Sequence, residues 1–122
     1  MKKIFLLFVL AISFVTIHAQ DAQSTSADAQ AAHQRAEKMK KMLTLTDAQA
    51  SQVETVELSK ITKVNEINAD ATKTADQKTA AIAQVNTDTD ASLATIFTPA
   101  QNAQYKNIKK AHQDRLAAAG GN

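Results

Sequence analysis

The sequence predicts an all-α fold of about four helices in a thin, antiparallel, hairpin-like arrangement. Three observations carry the prediction. The 122 residues include one proline and two glycines, both glycines at the C-terminal end, so the usual punctuation of β folds is missing. Ala is the commonest residue and Lys and Gln are abundant, all three good helix formers. Apolar residues recur at three- and four-residue intervals behind recognisable helix starts.

The elements follow in chain order. Lys2 and Lys3 precede an apolar run of 14 residues, Ile4 to Ile17, and Ile17-His18-Ala19 ends in a small residue before Gln20. This is the pattern of a secretory signal peptide over 1–19, because a membrane-spanning helix needs about 20 apolar residues, with an uncleaved anchor as the alternative reading. With no cysteine behind the run, no lipid attachment is expected, and the product should be exported, soluble and without a stable membrane anchor. Residues 20–31 are polar, small and low in complexity, which predicts a flexible arm. The helical domain is expected over 32–119. Its first helix builds up around Asp28 and runs to Met42, with Ala32, Ala36, Met39 and Leu43 on one stripe.

The second helix has Thr46 as N-cap, Asp47 at its positive end and Gln49 at the third helical position, the spacing of a capping box. Val53, Val56, Val64, Ile67 and Ala71 share its main apolar face, Ile61 flanks it, and Leu58 points away. A turn over Asn68 to Thr74 leads to a third helix opened by Thr74 and Gln77. There Ile82, Val85, Leu93 and Ile96 form a stripe that Thr89 weakens. The fourth helix opens with Thr98, Pro99 and Gln101, where proline's missing N–H is harmless. Tyr105, Ile108, His112, Leu116 and Ala119 line one face of it, with Gly120-Gly121 ending it.

Composition excludes several functions. The absence of cysteine removes disulfide scaffolds, thiol nucleophiles and Cys-ligated metal centres, and no glycine-rich loop is available to cradle phosphate. Fourteen basic residues face twelve acidic ones, but two of the fourteen are Lys2 and Lys3, so the mature chain carries no net charge to suit nucleic acid. Charge is nevertheless segregated. Arg35 to Lys41 and Lys106 to Arg115 are basic, whereas Asp47 to Asp90 is acidic, and a folded hairpin can bring the two basic blocks together. The mature chain has only 18 Leu, Ile, Val, Met, Phe and Tyr side chains, a thin core that would gain stability from dimerisation.

The two clearest helix starts are an internal repeat 52 positions apart. Leu45-Thr46-Asp47-Ala48-Gln49, then Gln52 and Val53, corresponds to Phe97-Thr98-Pro99-Ala100-Gln101, then Gln104 and Tyr105. Two L-T-x-x-Q starts in an exported helical chain of this size resemble the Spy/CpxP family of periplasmic proteins, with Phe97 replacing leucine in the second. The resemblance implies an intertwined, cradle-like dimer that, in Spy-like members, binds unfolded or partly folded envelope proteins without ATP. CpxP-like members instead bind an envelope-stress sensor kinase, and other relatives are metal-responsive sensors. Only Leu45, Thr46, Gln49, Phe97, Thr98 and Gln101 match the motif, and the role they inherit is structural.

Client binding would fall on Arg35, Lys38, Met39, Lys41, Met42, Leu58, Lys109 and Lys110 if the first and fourth helices lie side by side, since flexible methionines adapt to varied partners. The same residues are otherwise solvated helix faces and ordinary core. His33 with Glu37, and a half-buried His112 with Asp114, are too sparse for a metal site, and no catalytic triad or carboxylate dyad is present. The expectation is therefore a protein without cofactor, metal or enzymatic activity. It acts as a periplasmic holdase or as an adaptor for one envelope partner.

Overall fold

The computed structural model describes residues 19–120, with side chains described from residue 26 onward. Residues 1–18 of the expected signal peptide lie outside the described residues. Four helices account for the fold: α1 (Ala19–Leu43), α2 (Asp47–Ala69), α3 (Ala75–Ile96) and α4 (Pro99–Gly120). No strand occurs among the described residues, so the chain is all-α.

α1 corrects the expected arm at 20–31, because the helix continues back through it to Ala19. The segment holds no proline or glycine to stop a helix, and its alanines and glutamines propagate one. From Asp28 on it is also docked: Asn65 of α2 donates to the Asp28 carboxylate at 3.0 Å, and Ala32 and Ala36 are fully buried. Small side chains at these positions let α1 approach α2 closely. His33 bonded to Glu54, Arg35 to Glu57 and Lys40 to Asp47 give the pairing of an antiparallel hairpin.

The α1–α2 turn closes with Thr44 in the left-handed region at φ 54°. The Leu45 N–H then reaches the Lys40 carbonyl at 3.1 Å, the six-to-one bond of a Schellman ending. Glycine is the usual residue at this position, and a β-branched threonine there is strained. Thr46 and Gln49 form the expected capping box, each side chain accepting from the other's backbone N–H. Thr74 with Gln77 and Thr98 with Gln101 repeat it at α3 and α4. α2 ends at Ala69, leaving Ala71 exposed in the turn rather than on the apolar face.

The core lies at one end of the molecule, where the turns at 44–46 and 97–98 meet. Ala36, Leu43, Leu45, Val53, Leu93 and Phe97 are buried together, with Met39, Met42, Val56, Ile96, Tyr105 and Ile108 packed around them. The Phe97 and Tyr105 rings meet edge to face at 5.5 Å between centroids. Thr89, the weak point of the α3 stripe, is buried without penalty because its hydroxyl donates to the Val85 carbonyl at 2.7 Å. α4 contributes no buried residue. Its first turns rest on α1 and α3, and everything from Lys110 to Gly120 is exposed, including Leu116 at 59%. His112 is accordingly exposed and not half-buried, since no element covers the C-terminal half of the stripe.

Candidate functional site

The two L-T-x-x-Q starts meet face to face. Gln49 Nε2 donates to the Ile96 carbonyl at 3.0 Å and to Gln101 Oε1 at 2.9 Å. Gln101 Nε2 in turn reaches the Thr44 carbonyl and Gln49 Oε1, both at 3.4 Å. Thr44 and Ile96 are themselves 52 positions apart, so the sequence repeat becomes a local two-fold relation between the turns. Leu45 and Phe97, equivalent in the repeat, are both buried beside it at 6% exposure. Each glutamine thus caps its own helix and holds the opposite turn. The 52-residue repeat makes the two residues equivalent, but nothing in the sequence announces that they meet.

This junction seats the start of α4 against the end of α1. Gln104 Nε2 donates to the Met42 carbonyl at 2.6 Å, and Asn102 Nδ2 donates to the Ala94 carbonyl of α3 at 3.0 Å. Beyond the junction the two helices run side by side and leave a groove of about 290 Å³. Met39, Met42, Tyr105 and Ile108 form its floor, and Arg35, Lys38, Lys109, His112 and Gln113 its rim. A larger cleft of about 570 Å³ opens between α2 and α3, lined by Gln52, Thr55, Val56, Ala91, Ser92, Thr95 and Ile96. Its hydroxyls on Thr55, Ser92 and Thr95 donate to carbonyls of their own helices, and none of its lining residues is charged. The smaller groove has the more distinctive chemistry.

Of the residues expected to bind clients, the groove gathers Arg35, Lys38, Met39, Met42 and Lys109. Lys110 lies on the adjoining α3–α4 surface, paired with Asp114 at 3.0 Å, while Lys41 and Leu58 line no part of the groove. Met39, Met42 and Leu58 are half-buried. The methionines pack against the core from α1, and Leu58 lies outside that cluster.

Two acids that bond the rim's cations are absent from that expectation. Glu57 is 3% exposed and accepts from Arg35 Nη1 at 3.2 Å. It lies four residues after Val53, on the α2 stripe, and that placement was its signal in the sequence. Asp90 accepts from the Tyr105 hydroxyl at 3.0 Å and from Lys109 Nζ, whose ammonium sits 5.6 Å above the Tyr105 ring. Burial raises the Tyr105 phenol above its ordinary range, and the negative charges of Asp90 and Glu57 add to the rise, so it is a neutral donor. His33 lies apart from the groove, with Nδ1 2.9 Å from Glu54, and that carboxylate raises its pKa. No group of three or more His, Cys, Asp or Glu side chains placed to hold a metal occurs among the described residues.

Compared with family models, curated proteins and solved structures, the chain matches none.

Proposed function

We propose that the protein is a periplasmic, ATP-independent, chaperone-like protein that binds unfolded or partly folded exported proteins. The observation that carries this reading is the groove between α1 and α4, where two flexible methionines lie below cations from both helices. Thioethers on unbranched stems adapt to side chains of different shape, and the cations attract chains before apolar contact forms. The exposed C-terminal half of α4 extends the surface beyond the groove, with Leu116 on it.

The Spy/CpxP resemblance supports the same reading. The two L-T-x-x-Q starts act in this fold as interlocking caps that set α4 against α1, so the motif builds the surface without touching a client. A second copy of the chain is the proposed cover for the apolar stripe at the end of α4, giving a homodimer.

The test is light scattering of a chemically denatured model client diluted into ATP-free buffer with and without the purified protein at stoichiometric ratio. Suppressed aggregation that survives added EDTA is the expected result. No suppression by a protein shown to be folded and helical contradicts the reading and favours a single specific envelope partner.

A further inference from the structure

The rim of the α1–α4 groove holds three cations, Arg35, Lys38 and Lys109, and two of them are already matched. Arg35 is bonded to the buried Glu57, and Lys109 to Asp90. Lys38 has no ion-pair partner among the described residues. One positive charge is therefore left over. The matched cations also keep unused donors, since a guanidinium carries five N–H groups and an ammonium three. Their acids fix where those donors stand, so binding an anion there immobilises little that is free beforehand.

The floor sets the other half of the ligand. Met39 and Met42 from α1 face Tyr105 and Ile108 from α4, and Tyr105 turns its hydroxyl away to Asp90. The stretch from Arg35 to Met42 is about 10 Å long at 1.5 Å per residue. That length and a volume of about 290 Å³ are too short for a docked helix and sufficient for one alkyl chain.

We infer that this groove binds a monoanionic single-chain amphiphile, a free medium-chain carboxylate, with its head on Lys38 and Arg35 and its chain along the methionines. The inference concerns a small ligand and stands whether or not the same surface takes unfolded clients.

The experiment is titration calorimetry of the purified protein with sodium decanoate below its micelle concentration, alongside decanol and sodium acetate. Saturable binding of one decanoate per chain is expected, with decanol about tenfold weaker and acetate not bound. Lys38→Gln is expected to weaken decanoate about tenfold and leave decanol unchanged, with helicity by circular dichroism matching the parent. Met39→Gln is expected to weaken both. Equal affinity for decanol and decanoate, an unchanged decanoate affinity in Lys38→Gln, or no saturable binding of decanoate overturns the assignment. Aggregation suppression measured on the same preparation separates failure of this site from failure of the chaperone reading.

Discussion

Thr44 is the residue at which local conformation and side chain disagree. Its φ of 54° is forced by the Schellman ending of α1, and its carbonyl is one of the acceptors that Gln101 reaches. A left-handed L-residue costs about 1–2 kcal/mol relative to glycine, and asparagine tolerates the region better than a β-branched side chain. Thr44→Asn is therefore expected to stabilise the fold by about 1 kcal/mol, raising the thermal midpoint by about 4–8 °C for a domain of this size. An unchanged or lower midpoint would show that the threonine is not strained. The capping residues at Thr46, Thr74 and Thr98 were legible in the sequence because Thr-x-x-Gln names a local mechanism. Thr44 was not, since Leu43-Thr44-Leu45-Thr46 contains none of the residues that announce a left-handed turn. Glu57 was only partly legible: its place four residues after Val53 puts it on the apolar stripe, but a carboxylate there becomes a buried ion pair only when Arg35 arrives from another helix.

Among the elements, the four helices follow from periodicity and caps, and three of their starts lie where the sequence predicts them. The start of α1 was missed. Its first turns have no apolar stripe, and what docks them from Asp28 on is the bond to Asn65 and two buried alanines, neither visible before α2 is in place. The junction of the turns is where element pairing is decided. Gln49→Ala and Gln101→Ala each remove a capping-box acceptor and a bond to the opposite turn, and should cost about 1–2 kcal/mol apiece. Chemical denaturation of both single variants and the double is expected to show a coupling of about 1 kcal/mol; strictly additive losses would mean that the glutamines act only as caps.

The pairing of α1 with α2 has a pH dependence through His33. Glu54 raises the pKa of His33 above its ordinary 6.5 in the folded chain. A raised folded pKa makes the stabilisation complete below 6.5 and removes it as pH climbs through the folded value. Thermal midpoints measured from pH 6 to pH 8 should fall slightly, and His33→Gln should flatten that slope. A slope unchanged in the variant would place the titrating group elsewhere.

At the scale of the whole molecule, the fold is lopsided. The core gathers at the end where the two turns interlock, while α4 leaves it after Ile108 with an uncovered stripe. The sequence shows two basic blocks that a folded hairpin can bring to one face, but not which of their members share it. Lys41 falls outside the groove, and Lys110 is on the neighbouring surface, because neither residue's position was anchored until α1 and α4 were set against each other. The local two-fold relation supplies that setting through Gln49 and Gln101.

The groove is the surface on which the proposed activity depends, and one comparison tests it directly. Aggregation of a denatured client is followed with the parent protein, with a Lys38→Gln/Met42→Gln double variant altered at rim and floor, and with a Lys63→Gln/Thr62→Ala control on the exposed face of α2. All three should have the same helicity by circular dichroism. The account predicts suppression by the parent and the control and a several-fold loss in the groove variant; equal suppression by all three would contradict it.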